Sequence, residues 1–225
     1  ETDDPEDIDD SIKEEFDKSI WKNWTQKRNR IVFGAPGTGK SYKLNWDKND
    51  FIGEDNADQY ERVTFHPDYT FANFVGVYKP VPKGADDISY KYVPGPFMRI
   101  YVNAMQNPSK PYILLIEEIN RTNTAAAFGD IFQLLDRNSE YESEYEIAAS
   151  EDIKAYLDEK DPEFNFSHDK IKLPGNLFIW ATMNTADQGV FPVDTAFKRR
   201  WHFEYVEVDA EEGNAVNAST FIVNG

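Results

Sequence analysis

Residues 34–41 read GAPGTGKS, a full match to the phosphate-loop pattern G-x-x-x-x-G-K-[ST], set directly after the apolar triplet IVF and before a helix-forming stretch. Glycines let backbone N–H groups turn inward around phosphate oxygens, Lys40 is suited to neutralise β and γ phosphates, and the Ser41 hydroxyl is suited to Mg²⁺. Gly34, Ala35, Pro36, Gly37, Thr38, Gly39, Lys40 and Ser41, with Tyr42 next in line, are therefore the expected nucleotide-binding residues. Chance alone matches this pattern on the order of one time in a hundred in a chain of this length. The bland alternative is a glycine-rich turn that caps a helix.

A second apolar run, YILLI, ends abruptly in Glu117 and Glu118. In P-loop enzymes the first acid at such a strand end serves the Mg²⁺ shell and the second polarises the attacking water, so Glu117 is the expected metal residue with Ser41, and Glu118 the expected catalytic one. The distance from Ser41 to Glu117 leaves room for the strand and helices that must lie between them. A third run, NLFIWATMN, closes on Asn184, whose amide is placed to sense the γ-phosphate or the lytic water; an asparagine closing a strand is also a common turn residue. Beyond it, DTAFKRR reads as a short helix ending in Lys198, Arg199 and Arg200. Such cations either complement the helix dipole or reach a neighbouring subunit's nucleotide.

The elements that must position these groups follow from the spacing of apolar residues. Runs at 30–33, 62–65, 112–116, 177–182 and 202–206 are separated by polar or helical stretches, which predicts an α/β fold with a parallel sheet and crossover helices. Ile12, Phe16, Ile20, Trp21 and Trp24 recur at three-to-four spacing and predict an amphipathic leading helix over 11–29. The Pro- and Gly-punctuated segment 80–96 predicts a hairpin turning at KGADD, and 138–170 a polar insertion carrying a short helix near 147–157. Residues 1–10 read as an acidic tail.

Bulk composition narrows the class. With 225 residues, 40% hydrophobic and 15% aromatic, the chain suits one globular domain and not a disordered one. Absence of cysteine leaves no disulfide or Cys-ligated metal and fits the cytoplasm. No run approaches the roughly 20 apolar residues of a membrane span. The formal charge of −17 argues against gripping DNA through the general surface.

With these motifs in order, the sequence resembles the McrB family of AAA+ proteins, the nucleotide-driven subunit of modification-dependent restriction systems. FHPDYTFANFVGVYKP, GPFMRI, NPSKPYILLIEEINRTN, FGDIFQLLD and MNTAD carry the resemblance, which covers 30–206. It implies an AAA+ P-loop core over 30–208, hexameric rings, GTP preferred over ATP, a McrC-type nuclease partner, and DNA contact through other domains or that partner. It also marks Asp187 as a nucleotide-site residue, Arg199 or Arg200 as the trans-acting finger, and Asp194 as an acid on the same helix. Glu117 stands where Asp is usual, Gln188 where Arg often follows MNTAD, and Lys198 where Arg is frequent. With the last strand ending at 206, residues 209–225 are expected to be an extension or the bare start of the helical lid, and the family's DNA-reading domains are expected to lie outside this sequence.

Two other readings stay open at this stage. One is a nucleotide-gated scaffold that hydrolyses slowly; the other is an ATP-dependent remodelling ATPase of the related MoxR or dynein-like branch. The aromatic density at 66–78, with Tyr69, Phe71, Phe74 and Tyr78, suggests core packing for most of its rings, with a subunit contact or a ring-pore lining as the alternative for some of them.

Overall fold

A computed structural model describes residues 16–83, 88–160, 168–185, 189–207 and 218–220. In chain order the elements are β1 (Asn29–Gly34), α1 (Lys40–Ile52), β2 (Tyr60–Thr64), α2 (Phe71–Phe74), β3 (Gly76–Pro82), β4 (Ile88–Pro94), α3 (Pro96–Gln106) and β5 (Tyr112–Glu117). They continue with α4 (Thr124–Phe128), α5 (Ile131–Leu134), β6 (Ile147–Ala148), α6 (Glu151–Lys160), β7 (Lys170–Ile171), β8 (Leu177–Asn184), α7 (Thr195–Lys198), β9 (His202–Val206) and β10 (Ala218–Thr220).

β5 and β8 are apolar at nearly every position and β1 is buried or half-buried along its whole length, so all three are covered on both faces and sit inside the sheet. The main sheet has six strands in the order β10-β9-β1-β8-β5-β2. All pairs are parallel except β10 against β9. Alternation along β8 sends Leu177, Ile179 and Ala181 into one core with α3 and Phe128, and Phe178 and Trp180 into the other, against Leu44 and Ile52 of α1. Parallel pairing places every C-terminal strand end on one edge, and β1 lies between strands reached by opposite routes, the crevice where α/β sheets take ligands.

The leading segment departs from expectation. Its described part holds no α-helix, only a 3-10 turn over Lys18–Asn23. The reason lies in Arg28, a buried guanidinium that takes the carbonyls of Trp21, Trp24 and Gln26 for its own hydrogen bonds and stacks on Tyr141 and Phe178. Wrapping around one guanidinium bends this segment away from a continuous helix, while the Trp21 carbonyl still accepts the Trp24 N–H at 3.4 Å and closes the 3-10 turn. Burial pushes the Arg28 pKa down to about 10. Ile12 lies outside the described residues.

A hairpin forms as β3 paired with β4, starting at Gly76 and so earlier than the expected 80–96, and residues 84–87 of the expected turn lie outside the described residues. In the insertion, β6 pairs with β7, and α6 starts at Glu151 because the Ser150 hydroxyl accepts from the Ile153 N–H at 3.3 Å. Tyr69 and Phe74 are core residues: Phe65 stacks on Tyr69 at 4.4 Å and Phe74 meets Phe128 at 4.9 Å. This excludes them from any pore lining. Where 209–225 is described, it is the edge strand β10 and not the start of a helical lid. Among the described residues no helix is long and apolar enough to cross a membrane.

Candidate functional site

Strand β1 delivers the loop. Gly34 is its last residue, and a Cβ there would meet the Val206 carbonyl oxygen at 2.5 Å, so only glycine lets β9 approach this closely. Gly39 caps α1 in the left-handed region (φ 79°) and turns the first N–H groups of the helix toward the loop. Between them, Pro36 and Gly37 are exposed at the tip, Ala35 is half-buried and Thr38 is buried. The Lys40 ammonium lies inside this ring, donating to the Ala35 carbonyl at 2.6 Å, the Gly34 carbonyl at 3.3 Å and the Thr38 hydroxyl at 3.4 Å. Burial pushes the Lys40 pKa down, with Glu118 and Glu117 pulling the other way. Tyr42, 75% exposed, projects from the first turn of α1.

Register brings the other groups to the same edge. Gly34 pairs with Asn184, and Ile116, one residue before Glu117, pairs with Ala181. Ser41 and Thr182 both donate hydroxyl hydrogens to Glu117 Oε2 at 2.7 Å. These hard oxygens fit a small divalent cation that keeps most of its waters, so Ser41 and Glu117 are suited to hold Mg²⁺. Arg62 stands 3.8 Å from the other oxygen of Glu117.

Glu118 sits just past the strand in a left-handed conformation (φ 58°, ψ 44°), which costs a non-glycine residue about 1–3 kcal/mol. Its N–H donates to Thr182 Oγ1 at 3.0 Å, and its carboxylate accepts from Asn184 Nδ2 at 2.7 Å to each oxygen and from Arg121 Nε at 3.2 Å. Buried Asn120 donates to the Asn184 carbonyl at 2.9 Å while its own carbonyl accepts the Phe191 N–H at 2.8 Å, which fixes the sensor strand against the segment that leads to α7.

Arginines 199 and 200 lie apart from this cluster, and neither makes a hydrogen bond or ion pair to the loop or to Glu117 and Glu118. They differ sharply. Arg200 has 8% of its side chain exposed and is clamped to Asp136, whereas Arg199 has 64% exposed and stands 3.9 Å from the same carboxylate. Asp194 caps α7, its carboxylate accepting from the Phe197 N–H at 2.6 Å. Asp187 and Gln188 lie outside the described residues.

Sequence reading passed over Thr182, Asn120, Arg121 and Asp136. A signal existed for Thr182: residues i and i+2 share a strand face, so Thr182 and Asn184 form a polar pair at the end of an otherwise apolar strand.

A five-stranded parallel sheet with a P-loop, paired acids and a polar strand end on one edge defines a P-loop nucleoside triphosphatase of AAA+ type. Residues 29–201 match the AAA domain (dynein-related subfamily), and the chain belongs to that family. Within it the chain is McrB-like. It is 48% identical over 203 residues to the type II restriction enzyme BsuMI component YdiS of Bacillus subtilis, covering 81% of this chain and 58% of that protein. It is 29% identical over 202 residues to the type IV methyl-directed restriction enzyme EcoKMcrB subunit of Escherichia coli, covering 90% of this chain and 39% of that protein. The chain thus spans less than two thirds of either relative.

Proposed function

We propose that this domain is the GTP-hydrolysing, Mg²⁺-dependent motor of a McrB-like DNA restriction complex, working in a ring, expected to be hexameric, beside a McrC-type nuclease subunit. The observation that carries the hydrolytic reading is the convergence of Ser41 on Glu117 and of Asn184 on Glu118 at one sheet edge, each at 2.7 Å. The preference for GTP over ATP, the ring and the partner are supported by the resemblance to restriction subunits.

In this reading the loop N–H groups and Lys40 take the β and γ phosphates, which draws the Lys40 ammonium off its own loop carbonyls. Ser41 and Glu117 would hold Mg²⁺, which would supply charge neutralisation at those phosphates. Glu118 orients the attacking water and takes its proton, and Asn184 holds the same water or a γ-phosphate oxygen. A neighbouring subunit supplies the arginine that meets the charge of the transition state. Arg199 is the better candidate, because Arg200 is consumed by contacts within its own subunit.

Glu118→Gln tests the assignment. Nucleotide affinity is expected to stay within about twofold while turnover falls about 10³-fold; lost affinity with normal turnover per bound nucleotide would contradict it. One observation favours a second reading, a nucleotide-gated scaffold: both carboxylate oxygens of Glu118 are already engaged by Asn184, with Arg121 on one of them. Turnover that stays slow with the nuclease partner present would mark that case.

A further inference from the structure

The two arginines at the end of α7 share one carboxylate, and the sharing is unequal. Asp136 Oδ2 accepts from Arg200 Nε at 3.0 Å and from Arg200 Nη2 at 2.7 Å. Arg200 Nη1 donates to the Ala196 carbonyl at 2.7 Å, and its guanidinium lies 4.2 Å from the centre of the Phe132 ring. Arg199 Nη2 stands 3.9 Å from that same oxygen, beyond hydrogen-bond length, so it receives a screened Coulomb attraction and no bond. A phosphate, offering two oxygens and more charge, outcompetes such a contact.

The carboxylate has a firm base. The Asp136 carbonyl accepts the Glu144 N–H at 2.7 Å. Next to it, the Leu135 carbonyl accepts from Asn29 Nδ2 at 2.7 Å, and the same amide nitrogen donates to the Arg200 carbonyl at 3.0 Å. Asn29 is buried and is the first residue of β1, the strand that ends in the phosphate loop. The end of α5, the end of α7 and the start of β1 are therefore stitched together at one point.

We propose that Asp136 is the positioning residue of the trans-acting arginine: it withholds Arg200 from the neighbouring nucleotide and directs Arg199 toward it. This rests on the reading of Arg199 as the finger. Without the carboxylate, Arg200 is released as a competing cation and Arg199 loses its lateral restraint, while the subunit's own nucleotide site, built from other residues, is left intact.

The test uses the whole protein in its assembled form, with the partner, and mixes subunits. Lys40→Ala subunits lack the phosphate ammonium but keep their arginines. Asp136→Asn alone is expected to lose turnover about 10²-fold with nucleotide affinity unchanged. Mixing it with an equal amount of Lys40→Ala protein is expected to recover at least about tenfold, since the intact arginine now comes from the neighbour. Arg199→Ala mixed with Lys40→Ala tests the underlying reading separately. Recovery there but not with Asp136→Asn, or full turnover by Asp136→Asn alone, overturns the positioning role. Failure of the Arg199→Ala mixture overturns the finger assignment and the proposal with it. Asp136→Glu, which keeps the charge but moves it by one methylene, guards against simple misfolding. Judged folded by thermal melting, it is expected to lose turnover and to be rescued in the same mixture, and full activity on its own counts against the proposal.

Discussion

At the scale of single residues, the decisive contrast lies between two adjacent side chains of the same type. Arg199→Ala removes a solvent-exposed group, so the fold is expected to be unaffected while turnover of the assembled protein drops about 10³-fold. Arg200→Ala removes the clamp on Asp136 and the ring contact with Phe132, and is expected to lower stability by about 1–3 kcal/mol. Parallel denaturant melts and phosphate-release assays on the two variants check both statements; an inert Arg199→Ala with an inactive but stable Arg200→Ala would reverse the assignment. The RR pair was legible in the sequence, but the choice within it was not. Both arginines follow the same short helix, and what separates them is the position of Asp136, brought in from just past the end of α5 by tertiary packing. Thr182 and Arg121 were hidden for a related reason: their roles depend on which strand end or turn lies alongside.

Among the elements, the sheet edge was the most readable part, because a phosphate loop after a strand and carboxylates ending an apolar run are local patterns. The five parallel strands fall where the apolar runs predict them. The described part of the leading segment is not α-helical because periodicity records which residues face inward and not the buried Arg28 guanidinium around which the carbonyls of Trp21, Trp24 and Gln26 wrap. The aromatic stretch divides: Tyr69 and Phe74 pack into the core, whereas Phe71 and Tyr78 are exposed. Phe74 is fully buried against Phe65, Phe97 and Phe128, so Phe74→Ala is expected to cost about 3–5 kcal/mol, measured by urea unfolding. A loss near zero would show that the ring is not in the core.

Another tie between elements carries a pH signature. Glu142 bridges Lys18 of the leading segment at 2.7 Å and Lys172, just past β7, at 3.0 Å. Burial works to raise its pKa, but hydrogen bonds and charge from Lys18 and Lys172 outweigh that and hold the carboxyl below its ordinary value of 4.5. Its contribution to stability is therefore complete above that ordinary value and is lost as pH falls through the lower folded-state value. Glu142→Gln is expected to flatten the acid limb of a stability-against-pH curve measured from about pH 6 down to about pH 3. An unchanged limb would remove this tie from the account.

For the whole molecule, the division of labour follows from charge and topology. A chain with a formal charge of −17 is poorly suited to hold DNA over its general surface, so the proposed complex places DNA contact in other domains or in the nuclease partner. Arg199, the proposed finger, makes no hydrogen bond or ion pair to its own phosphate loop, so the proposed mechanism completes each site with a residue of the neighbouring subunit. Hydrolysis should accordingly rise with protein concentration through the assembly range.

The most direct measurement is steady-state phosphate release by the whole protein with GTP and with ATP, in Mg²⁺, with and without the nuclease partner, and with Lys40→Ala as the control. Faster turnover with GTP, stimulation by the partner and no activity in the control are expected; equal or greater activity with ATP, indifference to the partner, or hydrolysis surviving Lys40→Ala would overturn the proposed function.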